Sequence, residues 1–355
     1  MGEAEIRFDE LRGAARSRDE PSPFGALLSV SGSSISEKVG AILEAREEIV
    51  EQFHRAGGLL LVRGLEDLRA APDLLVRISE IFGPEVENVR QTLTSDRFFH
   101  ESVPELMVLS NEPPVGHPPP PLPSPSRTPE GALVVSHPHQ TNWHTDQSYR
   151  RPPPDVTLLF GVVTPPPDQG QTLFADCSAA FEALDADTKT RLRALDGLHV
   201  PSWVGRRPED VQAGVTPKPL LPHQRPVRQP LARRHPETHR LALYLCQPQQ
   251  MDFVEGPIVG LETGPDGAGA ALLEQLLRHA TQARFVYTHE WTAGDLVIAD
   301  NRCLLHCATW YAADRYPRLM WRTTVRGEPG AEYAGEAKSW MPRDGEALMA
   351  GMEGV

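Results

Sequence analysis

Residues 142–149 read NWHTDQSY and set His144 and Asp146 two positions apart. Side chains of an extended strand alternate between faces, so a pair at this spacing projects from one side. Two such groups can hold one metal ion, and a third ligand must then arrive from elsewhere in the chain. The stretch ADNRCLLHCATWY at 299–311 offers it, with His306 near the end of an apolar run.

Two His and one carboxylate on one side of a metal form the facial triad of non-heme Fe(II) oxygenases, which keeps positions open for a cosubstrate and O2. The chain continues as RYPRLMWRTTVRGE at 315–328, where Arg318 and Arg322 stand four residues apart. That even separation lets both guanidiniums face the interior side of one strand. A pair of Arg beside an iron site suits a dicarboxylate such as 2-oxoglutarate, because guanidinium grips carboxylate through two parallel hydrogen bonds. An HxD alone carries little weight in a chain with 13 His. A distal His after an apolar strand, followed by two Arg on the next strand, is a much rarer coincidence.

Taken in order, NWHTD, GQTLF at 170–174, the DNR–LLH segment at 300–306 and RLMWRTTVRGE at 318–328 resemble the taurine dioxygenase and 2,4-dichlorophenoxyacetate dioxygenase family of Fe(II)/2-oxoglutarate oxygenases. The resemblance implies a mainly β fold with flanking helices, a double-stranded β-helix (jelly roll, cupin-like) with long loop insertions. It implies His144, Asp146 and His306 as the Fe(II) ligands. Thr172 and Arg318 would hold the distal carboxylate of 2-oxoglutarate, with Arg322 deeper, near the substrate or the chelating end of the cosubstrate. The implied activity is that of a dioxygenase oxidising an unactivated C–H bond of a small anionic or amino-acid-like molecule, with release of succinate and CO2. Because the family's halogenases lack the carboxylate, Asp146 points to hydroxylation; desaturation, demethylation and ring formation use the same ligands and stay open. After FG at 82–83 the taurine enzyme carries a sulfonate-binding His, whereas PEVEN at 84–88 has none, which argues against taurine. Asn88 and Gln147 are the candidate substrate contacts.

Composition narrows the class further. A net charge of −13 speaks against a nucleic-acid backbone as partner. No apolar run approaches the ~18 residues of a membrane helix, and MGEAEIRFDE lacks a signal-peptide core, so a cytoplasmic enzyme is expected. Cys177, Cys246, Cys303 and Cys307 are scattered, as in reduced thiols. The partner is then a small-molecule substrate, and homo-oligomerisation stays open. Apolar stripes predict helices over 35–57, 72–83, 178–197 and 268–282. Short apolar runs at 58–65, 154–165, 170–176, 240–245, 295–300 and 319–325 predict strands. Irregular connections between them fit two packed antiparallel sheets.

One oxygenase domain is expected over 35–335, after an N-terminal extension (1–34) and before a tail (336–355). Proline, 35 of 355 residues, gathers at 111–131, which reads as an extended insertion. The Pro- and Arg-rich segment 203–232 reads as a lid. His137 and His139 fit a solvated loop better than extra ligands, and Cys303 and Cys307 fit small buried residues better than a zinc site. A non-catalytic metal-binding jelly-roll sensor is the reading from a different class. Arg318, Arg322 and Thr172 count against it, since a sensor has no evident use for a complete cosubstrate clamp.

Overall fold

The computed structural model describes residues 4–12, 21–92, 94–119 and 143–327. The proline-rich stretch from 120 to 131, His137, His139 and the 336–355 tail lie outside the described residues. The chain opens with β1 (Glu5–Arg12) and β2 (Pro21–Ser31), then α1 (Ile35–Glu44), α2 (Arg46–Arg55), β3 (Leu59–Arg63) and α3 (Asp73–Ser79). Next come β4 (Met107–Ser110), β5 (Val156–Val163), β6 (Thr172–Asp176), α4 (Cys177–Glu182) and α5 (Ala186–Leu192). β7 (Asp196–His199), α6 (Pro208–Gln212), β8 (Val227–Pro230), β9 (Ala232–Arg234) and β10 (Leu241–Leu243) follow. The last elements are α7 (Ala268–Ala280), β11 (Val286–His289), β12 (Leu296–Asp300), β13 (Leu304–Ala308) and β14 (Leu319–Val325). No helix of the described residues is long and apolar enough to cross a membrane.

Seven strands form one sheet in the order β1-β2-β3-β12-β5-β14-β4, and β11-β6-β13 form a second. Within the larger sheet only β2 and β3 run parallel. Residues 5–12 and 21–31, within the expected N-terminal extension, form β1 and β2 of this sheet, and Leu28 and Val30 of β2 are buried in the same core cluster as Leu60 and Val62 of β3.

The all-apolar run of β3 shows why. Leu59 and Leu61 belong to the cluster that includes Leu173 and Leu304 of the smaller sheet, while Leu60 and Val62 belong to the one that includes Ile42, Phe53 and Leu75 of the helices. A strand covered on both faces needs apolar residues at every position rather than at alternate ones. Phe53 is fully buried there, and truncating such a side chain costs about 3–5 kcal/mol.

Two helices are shorter than their apolar stripes. The stripe over 35–57 breaks at Ala45 (ψ 15°), yet Val39, Ile42, Ile49 and Phe53 all stay in one core cluster, so the break loses no burial. The 178–197 segment splits because Asp185 turns its side chain onto the Thr188 amide and starts α5 afresh. A short acidic side chain that satisfies a free N–H is a stronger start signal than the continuing apolar pattern.

Candidate active site

His144 and His306 meet through the backbone. Each amide donates to the other's carbonyl, at 3.0 and 2.8 Å, which makes an isolated antiparallel bridge. That pairing sets the imidazoles side by side, with ring centroids 4.3 Å apart. The HTD segment is therefore not a strand as expected; one bridging residue is followed by a turn in which Gln147 has φ 49°. The same-face argument survives locally. Asp146 Oδ1 lies 3.8 Å from His144 Nε2 and 3.9 Å from His306 Nε2. The three potential donor atoms all fall within 4.8 Å of one another.

Burial pushes the His306 pKa down to about 3, with His144 adding to the effect. For Asp146, burial acts upward but is outweighed by the Arg322 guanidinium, the two imidazoles and the Thr157 hydroxyl, which hold the carboxyl well below its usual range. An ionised carboxylate beside a neutral imidazole is the protonation pattern a divalent metal requires. The donor set thus fits an Fe(II)-type ion.

Asp146 also owes its pose to residues that carry no obvious sequence signal. Its second oxygen, Oδ2, accepts from Thr157 Oγ1 at 2.7 Å. Arg322 Nη1 lies 3.3 Å from Oδ1. Thr157 looks like an ordinary strand threonine, and Asn301 stands out only as the middle of the DNR motif.

The two arginines part company. Arg322 lies within β14, but Arg318 precedes that strand, and the ladder shifts register between Leu319 and Met320. The even spacing therefore does not place both on one strand face. Asn111 instead fixes Arg318, accepting from its backbone amide at 2.7 Å while donating to the carbonyls of Ala313 and Tyr316. Burial lowers the Arg318 pKa, and no carboxylate of the described residues pairs with it. Arg318 is half-buried, and a partly desolvated guanidinium without an anion carries a cost that a ligand carboxylate would relieve.

Thr172 lies on the His306 side of the smaller sheet. Phe174 faces His306 across the β6–β13 ladder, and Thr172, two residues along, shares that face. Trp291 Nε1 donates to Thr172 Oγ1 at 3.0 Å. An indole can only donate, so the Thr172 oxygen accepts and its own proton is directed elsewhere.

A cavity of about 720 Å³ opens over His144, Asp146 and Arg322. Gln147 lines it; Asn88 does not, because its side chain accepts from the Arg90 amide and caps a short helical turn. Trp203, His223, Arg225 and Val227 of the 203–232 segment also line it. That segment carries α6 and β8, so it is less irregular than its composition suggests. Trp203 is 63% exposed and meets Tyr149 edge-on, with ring centroids 5.6 Å apart.

A second cluster, His54, His235 and Asp300, has the same ligand types. There His235 Nδ1 accepts from the amides of Glu237 and Thr238, both at 3.1 Å. Its proton therefore sits on Nε2, which donates to Asp300 Oδ2 at 2.9 Å. Arg302 grips the same carboxylate through two bonds of 2.8 and 2.7 Å. All four cysteines are free and buried, and burial pushes the thiols of Cys303 and Cys307 far up. Among the described residues, no potential metal cluster includes a cysteine.

Residues 20–324 match the sequence model of a family described as taurine catabolism dioxygenase TauD, TfdA family. An (S)-phenoxypropionate/alpha-ketoglutarate-dioxygenase of Sphingobium herbicidovorans is 35% identical over 54% of this chain and 64% of its own length. An alpha-ketoglutarate-dependent 2,4-dichlorophenoxyacetate dioxygenase of Cupriavidus pinatubonensis is 35% identical over 52% of this chain and 59% of its own. The match thus spans less than two thirds of these relatives. In three dimensions, a crystal structure of a putative alpha-ketoglutarate-dependent taurine dioxygenase from Burkholderia xenovorans superposes with a TM-score of 0.60 at 23% identity. That likeness covers 96% of this chain and 99% of the other.

Proposed function

Since the chain belongs to the TauD, TfdA family, we propose that it is a 2-oxoglutarate-dependent non-heme iron dioxygenase that oxidises, by hydroxylation, a small anionic molecule. The observation that carries this reading is the triad of His144, Asp146 and His306, with a half-buried Arg318 nearby in sequence that no carboxylate of the described residues pairs and Thr172 on the His306 face. The two facing sheets are read as a double-stranded β-helix. His144, Asp146 and His306 would hold Fe(II), and Arg318 with the Thr172 hydroxyl would hold the distal carboxylate of 2-oxoglutarate. With both bound and O2 present, the iron supplies oxidation of an unactivated C–H bond coupled to release of succinate and CO2.

The protein's own share is binding, orientation and exclusion of water. Arg97, Arg150, Arg225 and Arg322 line the cavity, against Asp146 as its carboxylate. In a chain of net charge −13 this is a local reversal of sign that draws anions to the opening. Phe98, Met107, Tyr149 and Trp203 provide apolar walls. An acid with an apolar body matches both features, and the 203–232 segment, with Trp203 at the mouth, would close over it as a lid. The sensor reading leaves Arg318, half-buried and without a carboxylate partner among the described residues, unexplained.

The test is succinate formation by purified protein with Fe(II), 2-oxoglutarate and a panel of aliphatic, aromatic and amino acids. Release stimulated by a subset of acids, and lost in His306→Ala, is expected. Metal and 2-oxoglutarate binding with no succinate from any member, stimulated or basal, would favour the sensor.

A further inference from the structure

Asp146 has two carboxylate oxygens, and the structure treats them differently. Oδ1 faces the Nε2 atoms of His144 and His306 and Arg322 Nη1. Oδ2 accepts from Thr157 Oγ1 at 2.7 Å, the length of a charge-assisted hydroxyl bond. Thr157 in turn accepts from Asn301 Nδ2 at 3.0 Å. Since a hydroxyl has one proton, the amide's donation commits that proton to Asp146. The amide orientation follows from its other end, where Asn301 Oδ1 faces the Asp146 backbone N–H at 3.4 Å, a donor that only the oxygen can accept from. All four residues are buried.

Asn301 is itself held on every side. Its amide donates to Asp155 O at 2.9 Å, and its carbonyl accepts from Thr145 Oγ1 at 2.7 Å. On either side of it in sequence, Asp300 and Arg302 are locked to each other and, through Asp300, to His235. The β12–β13 turn is therefore a rigid post.

We propose that Asn301 and Thr157 are positioning residues that form a one-way donor chain ending on Asp146 Oδ2, so that Oδ1 alone is presented to the metal. Chelation by both oxygens would occupy a position that the cosubstrate or O2 needs. The chain makes that mode cost a buried hydrogen bond. The proposal rests on the metal-site reading above.

Co(II) alone, titrated calorimetrically into the full-length protein and followed by its visible ligand-field spectrum, tests it without turnover. Wild type is expected to bind one equivalent, lost in His306→Ala; a wild type that binds none overturns the metal-site reading itself. With that control satisfied, Thr157→Val is expected to weaken Co(II) by about ten- to hundredfold and to change the spectrum. Thr157→Ser, which keeps the donor, should restore both. Asn301→Asp replaces the amide donor with an acceptor that competes for the Thr157 proton. It should reproduce the Thr157→Val spectrum independently of how β5 tolerates valine. Wild-type affinity and spectrum in both Thr157→Val and Asn301→Asp would overturn the donor chain while leaving the metal site standing.

Discussion

Among the described residues, two clusters are built from two histidines and an aspartate, each with its donor atoms within 4.8 Å, and the proposed function places the metal at only one of them. At the second cluster the protein supplies the partners of His235 and Asp300. Backbone amides occupy His235 Nδ1, the proton on Nε2 goes to Asp300, and Arg302 covers the carboxylate. At His144, Asp146 and His306 the backbone bridge orients the rings, Thr157 takes one carboxylate oxygen at 2.7 Å, and the other faces both imidazoles with only a longer, 3.3 Å contact from Arg322. Residue type and proximity do not make a metal site. What decides it is whether the remaining hydrogen-bonding capacity has already been satisfied.

The sharpest way to break this contrast is to remove a ligand from each cluster. Asp146→Ala or His144→Ala should abolish binding of one Fe(II) per chain and all succinate formation. His235→Ala should leave the metal stoichiometry at one. Loss of the ion in the His235 variant, measured by equilibrium dialysis, would reverse the assignment of the two clusters.

The saturated cluster should show itself in stability instead. Asp300→Asn leaves the buried Arg302 with only the more distant Asp155, at 3.9 Å, as counter-charge; breaking a buried pair costs up to about 3–5 kcal/mol and should appear as a lower midpoint in urea unfolding. Burial acts upward on the Asp300 pKa, but Arg302 and His235 outweigh it and hold the group far below its ordinary value. The folded state therefore binds that proton more weakly than the unfolded state. Stability from the ion pair is present above the ordinary carboxylate range and is lost as pH falls below about 4. The gap between wild type and Asp300→Asn should narrow on acidification. A gap constant from neutral pH to pH 3 would contradict the ion-pair account.

At the triad of His144, Asp146 and His306, smaller effects are expected in cosubstrate binding. Arg318→Ala should raise the KM for 2-oxoglutarate about tenfold or more, since a charged hydrogen bond is worth roughly 1.5–3 kcal/mol. Metal affinity should hardly move. If Arg322→Ala has the larger effect on 2-oxoglutarate, the roles of the two arginines are exchanged. Trp291→Phe keeps the ring but frees the Thr172 oxygen; a neutral bond of about 0.5–1.5 kcal/mol translates into a two- to tenfold rise in the same KM. No change there would mean that the indole is only packing.

Much of this was legible before any coordinates. The triad residues stand in quotable motifs, and the strands at β3, β5, β6, β12 and β14 carry apolar runs that no helix of that length would need. The N-terminal strands were missed because β2 begins PSPFG, whose Pro and Gly read as loop, while its partner β3 lies a helical pair away. Asn88 caps a short turn and does not line the cavity, and a cap and a substrate contact look alike in sequence. Thr157, Asn301 and Trp291 were invisible as site residues. Each acts on another side chain, and that role depends on which neighbour tertiary packing brings within hydrogen-bond reach.

The bridge between His144 and His306 has a topological consequence. It closes a loop that contains the whole run from β5 to β12, so an ion gripping both imidazoles would clasp the chain as a disulfide does, removing conformations from the unfolded ensemble. None of the four thiols is paired, so such a clasp would answer to ion concentration rather than to redox poise. Its strength would rise with free metal by mass action. Nicking the chain anywhere inside that loop would leave the two halves tethered for as long as the ion stayed bound.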